Sequence, residues 1–316
     1  MTRHFSLSAR FCAACLLILS AISAPSLGCA NEKAGSAKGA EKAASGAKET
    51  PAAKTTAAQG ANAAAKASAS MTGPLSEEQF KALHELKGDA APPPRGKVVE
   101  IAGSYAYLSL PPNAIAPMPA VIVIHEWWGP NEHIMHWADR LADEGYAAIA
   151  VDLYDGKVAT TPDSAMAFMK QVDDAASIKI LKAAHEFLVK DERVKATKTA
   201  SIGWCFGGKW SLQTALAVPE LDAAVIYYGQ LETDPEELRK IKASVFGVFG
   251  TQDQSIPPAT VKEFDQALTT AGVEHEIHSY DAVHAFANPS NPKYDQKSAG
   301  DAWTKASKFL RAKLKG

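Results

Sequence analysis

The sequence predicts an α/β fold: one domain built on a mostly parallel central sheet with helices on both faces, preceded by a signal peptide and a disordered tether. Three observations carry this. Strand and helix signals alternate from Lys97 to the C-terminus. Ala120–Ile124 reads AVIVI, a continuous apolar run of the kind found in strands buried on both faces. Gly203-Trp204-Cys205-Phe206-Gly207-Gly208 joins a buried strand to a helix, with glycines where a sharp turn requires them.

Residues 1–29 read as an export signal. Arg3 and Arg10 make a positive start, and Phe11–Ala24 is an apolar run too short to span a bilayer comfortably. The run leads into Ser26-Leu27-Gly28-Cys29-Ala30, which resembles the bacterial lipobox with Ser26 where Leu is usual. Cys29 would then be lipidated and anchor the protein. The alternative is an ordinary secretory signal cut after Ala24 or Ala30. The expected location is the periplasm, or the inner or outer membrane surface through the lipid anchor alone. Residues 30–74 form a low-complexity linker. Residues 31–70 hold 16 Ala and 6 Lys and no Val, Ile, Leu, Met or aromatic residue. Such a segment buries too little apolar area to offset its ordering entropy, so it is expected to be a mobile tether reaching roughly 35 Å.

Residues 75–96 are a short helix and a spacer. Ser76-Glu77-Glu78-Gln79 makes a capping box, Leu75 and Phe80 a hydrophobic staple, and Pro92-Pro93-Pro94 a stiff connection. This helix either packs on the domain or lies free. Residues 97–316 are the folded body. Val98–Ile101 and Tyr105–Leu110 form a first hairpin. Buried strands follow at Ala120–Ile124, Ala147–Val151, Lys198–Gly203, Ala223–Tyr228 and Val245–Gly250, with a last strand at Glu274–Tyr280. Helices are expected at Asn131–Glu144, within one long segment Ser164–Lys190, and at Lys209–Ala217, Pro258–Ala271 and Gln296–Lys313.

The 316 residues are 47% hydrophobic with a formal charge of -2, so neither a disordered chain nor a basic nucleic-acid binder fits. Removing residues 1–28 takes away two arginines and no acid, which leaves about -4. Four cysteines rule out a disulfide framework.

The chemistry centres on Cys205. Glycines two before and two after it, at a strand-to-helix turn, form the nucleophile-elbow pattern G-x-S-x-G with Cys in place of Ser. The turn lifts the sulfur to the carboxyl edge of the sheet, and the helix N-terminus favours thiolate. His284, just beyond the last strand, is the expected base, and Asp253, just beyond the preceding one, the expected orienting acid. Glu232 and Asp234 are rival acids. His275 and His278 lie within a strand and read as structural or exposed. The oxyanion would be held by the Phe206 N–H and by a second N–H from His125-Glu126-Trp127-Trp128-Gly129. The cluster Glu126, Glu132, His133 and His136 invites a metal reading, but Gly129 stands where the zincin pattern needs its second His.

Residues 97–314 resemble the dienelactone hydrolase family, a Cys-nucleophile branch of the α/β-hydrolase fold. The motifs that carry the resemblance are His125-Glu126-Trp127-Trp128-Gly129, Asp152-Leu153-Tyr154, Gly203-Trp204-Cys205-Phe206-Gly207-Gly208, Tyr227-Tyr228-Gly229 and His284-Ala285-Phe286. The resemblance implies a triad of Cys205, Asp253 and His284, a Glu126 that takes the thiol proton when substrate arrives, and Trp127 as the second oxyanion donor. It implies no metal or organic cofactor, and a small-molecule ester or lactone as substrate. It departs from the family at the substrate carboxylate clamp: Asn288 stands where one clamping Arg belongs, and Tyr154–Lys179 contains no Arg. Trp127, Trp128, Tyr154, Phe206, Tyr228 and Phe286 are expected to wall an aromatic pocket, with Asn288 at its edge. A non-catalytic envelope binding or assembly protein on the same scaffold is the competing reading. The oligomeric state is not legible; a monomer is favoured.

Overall fold

The computed structural model describes Glu78, Phe80, Lys81 and residues 93–316. The expected signal peptide, Cys29 and the linker lie outside the described residues, as does most of the 75–92 segment.

Eight strands form one sheet: β1 (Lys97–Ile101), β2 (Ser104–Ser109), β3 (Ala120–Ile124), β4 (Ala147–Val151), β5 (Thr199–Trp204), β6 (Ala223–Tyr227), β7 (Ser244–Gly250) and β8 (His275–Tyr280). Their spatial order is β1-β2-β4-β3-β5-β6-β7-β8. The β1–β2 and β2–β4 pairings are antiparallel, and every pairing from β4 to β8 is parallel. The helices are α1 (Glu132–Asp143), α2 (Pro162–Gln171), α3 (Asp174–Lys190), α4 (Phe206–Ala217), α5 (Pro235–Leu238), α6 (Pro258–Ala271) and α7 (Gln296–Leu314). The chain therefore has the α/β-hydrolase architecture expected of the sequence.

The two-residue period of the strands divides the core. Val121, Val123, Ala148, Ala150, Ile202 and Val225 point to one face, where Ile134, Trp137 and Leu141 of α1 and Trp303, Phe309 and Leu310 of α7 cover them. Their neighbours Ile122, Ile124, Ile149 and Val151 point to the other face, under Leu181, Ala184 and Leu188 of α3. Ala224, Ile226, Val245 and Phe249 complete that face beneath α4 and α6. Burial on both sides explains why β3, β4 and β6 read as unbroken apolar runs.

Phe80 answers the question of docking. Its side chain is fully buried and belongs to the α1/α7 side of the core. Its ring centroid lies 4.2 Å from that of Trp137, and the Arg140 guanidinium sits 4.5 Å above it and 4.2 Å from the Trp303 ring. A cation sandwiched between rings adds attraction to the area buried.

Two helix expectations are corrected. The Ser164–Lys190 segment is two helices, α2 and α3. Val172 is extended, and the Asp173 carboxylate accepts the Ala176 N–H at 2.7 Å, restarting the helix as its N-cap. α4 starts at Phe206, three residues earlier than the expected Lys209, because the turn at Cys205 leads straight into helix.

The register brings the site together. Ile124 pairs with Gly203, and Trp204 pairs with Tyr227, so β3, β5 and β6 end side by side. β7 and β8 end level with each other at Gly250 and Tyr280. The loops after these five strands carry Glu126, Cys205, Tyr228, Asp253 and His284 along one edge of the sheet.

Candidate active site

Cys205 has φ 55° and ψ -114°, a backbone conformation that non-glycine residues rarely adopt. The glycines flanking it are sterically required. A Cβ on Gly203 would lie 2.1 Å from the Gly207 carbonyl oxygen, and one on Gly207 would lie 2.2 Å from that of Ile124. Tyr228 (φ 37°) and Ala285 (φ 61°) are also left-handed, so three strained residues meet at the end of the sheet. Strain held at one locus marks a functional site, since the surrounding structure must sustain it.

His284 Nδ1 lies 2.7 Å from Asp253 Oδ2. Asp253 is buried, and its Oδ1 accepts the N–H groups of Ser255 (2.8 Å) and Ile256 (3.0 Å), which lock the carboxylate's orientation. Burial pulls the His284 pKa down, but hydrogen bonding to Asp253 and the adjacent Cys205 sulfur outweigh it and raise the imidazole to about 10. Tyr228 supports the ring from one side, with centroids 5.2 Å apart.

The rival residues are occupied elsewhere. Glu232 Oε1 accepts the N–H groups of Thr233 and Asp234, and Asp234 caps α5. His275 pairs with Asp265 at 3.2 Å and the Val273 carbonyl at 2.7 Å, and His278 pairs with Glu276 at 3.4 Å.

Desolvation raises the half-buried Glu126 carboxyl to about 7, against the opposing pull of His284 and of the Asn288 amide. Asn288 Nδ2 donates to Glu126 Oε2, and Asn288 Oδ1 accepts the Ser290 N–H at 2.8 Å, which fixes the amide with its nitrogen toward the carboxylate. The N–H groups of Phe206 and Trp127 have no hydrogen-bond partner among the described residues. One adjoins the strained Cys205 and the other lies in the loop after β3, whose end pairs with that of β5; unpaired donors of this kind are suited to receiving an oxyanion.

Two functional contributions escaped the sequence reading. His125, fully buried, has its Nδ1 2.6 Å from the Glu126 carbonyl oxygen, while its Nε2 accepts the Leu153 N–H at 3.2 Å. This pattern places the ring proton on Nδ1, and burial lowers the pKa to about 4. A neutral imidazole thus ties the Glu126–Trp127 loop to the Asp152–Tyr154 segment. Its buried polar type was the available signal. The second is Asn288, expected at the pocket edge but also the residue that holds Glu126.

The aromatic pocket is partly corrected. Trp128 and Asn288 line a cavity of about 220 Å³ that also contains Glu126. Tyr154 lines a separate cavity of about 290 Å³ with Lys157 and Phe168. Tyr228 and Phe286 are fully buried and line neither. Phe286 packs on Tyr228 and Tyr280, so it is core beneath the site rather than a pocket wall.

Residues 105–314 match the profile of the dienelactone hydrolase family. The chain belongs to that family. A protein of Synechocystis sp. named "Putative carboxymethylenebutenolidase" is 33% identical over 222 residues, covering 65% of this chain and 90% of its own. Among solved structures, the "Putative Dienelactone Hydrolase" of Klebsiella pneumoniae is 31% identical with a TM-score of 0.62, covering 69% of this chain and 96% of its own. A dienelactone hydrolase-like promiscuous phosphotriesterase from metagenomic libraries is 26% identical with a TM-score of 0.64, covering 69% and 98%. Membership makes the protein a hydrolase of the carboxylic-ester class, acting on small molecules.

Proposed function

We propose that the protein cleaves an ester or lactone through Cys205, His284 and Asp253, with a thioester acyl-enzyme between two half-reactions. The observation that carries this is the 2.7 Å His284–Asp253 contact beside a strained, flanked Cys205. The Cys205 sulfur attacks the carbonyl carbon, and its proton passes to His284 or Glu126. The Phe206 and Trp127 N–H groups receive the oxyanion. Collapse expels the alcohol, which takes the proton back from whichever of His284 and Glu126 received it. Acylation removes the sulfur's charge, and with it one of the two interactions that hold a proton on His284. The imidazolium is then a stronger acid, so in the acyl-enzyme the ring stands neutral and can take a proton from the water that hydrolyses the thioester. Glu126, titrating near 7 in its buried position, is suited to exchanging a proton at neutral pH.

The test is 4-nitrophenyl acetate with intact-mass detection of the acyl adduct. The wild type should gain one acetyl group on Cys205, and Cys205→Ala should lose both adduct and turnover. Turnover that survives in Cys205→Ala refutes the assignment. A non-catalytic scaffold would instead show a slowly alkylated thiol that no ester modifies.

The second part of the proposal is place. Residues 1–29 support export, with Cys29 lipidated or the leader cut after Ala24 or Ala30. The mass of the mature N-terminus distinguishes these, and an uncut Met1 terminus in the native host refutes export. An exported Cys enzyme would have no second processed thiol to pair with other than Cys29, since Cys12 and Cys15 leave with the leader.

A further inference from the structure

The 220 Å³ cavity beside Glu126 has a chemistry of its own. It lies between the loop that follows β3 and the loop that follows His284. Three asparagines line it, and each has its carbonyl oxygen taken by a local backbone N–H. Asn131 Oδ1 accepts from Ile134 at 3.3 Å, Asn288 Oδ1 from Ser290 at 2.8 Å, and Asn291 Oδ1 from Lys293 at 2.8 Å. The amide orientations are thereby set, and each leaves an NH₂ group as its remaining polar end. Asn288 spends its own on Glu126; those of Asn131 and Asn291 have no partner among the described residues. Ser290 Oγ and His133 Nδ1, also lining the cavity, satisfy one another at 2.8 Å. Trp128 supplies an apolar wall.

Charge is the second observation. Among the described residues no Lys or Arg lines this cavity; its one acidic side chain is Glu126, and its only other titratable group is His133, which is paired with Ser290. A carboxylate ligand would meet amide donors and a like charge, with no Lys or Arg among the described lining residues to offset its desolvation. An uncharged oxygen would meet directed N–H donors and lose little solvation.

We propose that this cavity is the substrate subsite for an uncharged, oxygen-bearing portion of the ester, a hydroxyl, ether or carbonyl group, and that it discriminates against carboxylate-bearing esters. The inference rests on the reading of Cys205 as nucleophile and adds to it the class of substrate.

The experiment uses a matched pair, 4-nitrophenyl methyl glutarate and 4-nitrophenyl hydrogen glutarate, which differ in the charge of the remote end. Wild-type kcat/KM should favour the methyl ester at least tenfold. Asn291→Asp, which keeps the oxygen and replaces the NH₂ with a charge, should raise KM for the methyl ester at least threefold. Asn288→Arg should move the ratio at least tenfold toward the acid. Equal turnover of the pair, or preference for the acid, overturns the subsite while leaving the nucleophile intact. If neither ester shows Cys205-dependent turnover, the nucleophile assignment falls and binding decides the subsite alone. For that arm, tryptophan fluorescence of Cys205→Ala is titrated with dimethyl glutarate and with glutarate. Tighter dimethyl glutarate upholds the subsite; equal affinity, tighter glutarate or no saturable binding of either overturns it.

Discussion

Asp253→Asn is the most direct probe of how the site works, because the structure dictates which way the new amide must face. Asp253 Oδ1 accepts two backbone N–H groups, from Ser255 and Ile256. An asparagine keeps both bonds only with its oxygen in that place, so its NH₂ group faces His284 Nδ1. The imidazole must then accept at Nδ1 and carry its proton on Nε2, the tautomer that cannot take a proton from sulfur. Flipping the amide instead sacrifices two buried hydrogen bonds at about 1 kcal/mol each and leaves donors unpaired. The charge acts in the same direction, because Asp253 is the first of the groups that raise the imidazole to about 10 against its burial. Losing the charge and the productive tautomer together should lower kcat/KM by about 10³- to 10⁴-fold. Stopped-flow release of 4-nitrophenol measures acylation directly, and circular dichroism checks that the variant folds. A fall of less than tenfold in a folded variant would mean that His284 does not depend on this carboxylate, and the relay would be refuted.

Three further predictions concern stability. Glu126 has its pKa raised from 4.5 to about 7, so burial of its charged form costs stability: the folded protein is favoured with Glu126 protonated below pH 4.5, and that advantage is lost as pH rises through 7. Glu126→Gln should therefore raise Tm at pH 8, by up to about 3 kcal/mol of stability, and change little at pH 4; calorimetry showing an equal effect at both pH values would contradict the buried charge. Gly207→Ala places a Cβ 2.2 Å from the Ile124 carbonyl oxygen and 2.7 Å from that of His125, so a loss of at least about 3 kcal/mol is expected, read as insolubility or a Tm lowered by roughly 10 °C. Phe80→Ala empties a fully buried ring site against Trp137 and Arg140 and should cost about 3–5 kcal/mol in urea unfolding; an unchanged midpoint would show that the segment before the domain does not dock.

What was legible in the sequence was what depends on near neighbours. The elbow announces itself because Gly203 and Gly207 stand two residues from Cys205, and a turn that tight leaves no room for side chains at those positions. The strands β3, β4 and β6 were readable because burial on both faces writes an uninterrupted apolar run. The break at Val172 was hidden because the residues on either side keep helix-forming composition, and a single capping aspartate decides it. Phe80 could be assigned a staple from local spacing, but nothing local records that Trp137 and Arg140, more than fifty residues on, complete its burial.

Asn288 shows the same divide within the site. As a sequence position it registers only as a missing cation. In three dimensions it becomes the hydrogen-bond donor that orients Glu126, across 162 residues of chain. An arginine there would offer both a charge to Glu126 and a clamp for an anionic substrate; the amide supplies direction without charge. The consequence runs in two directions at once. Desolvation pushes Glu126 up to about 7 with only His284 and the Asn288 amide opposing it, and the cavity it borders has no Lys or Arg among its described lining residues to compensate a carboxylate. Under the proposed mechanism, proton exchange at the thiol and selection of an uncharged substrate both pass through this one side chain, so a substitution that places a cation at position 288 should alter both together.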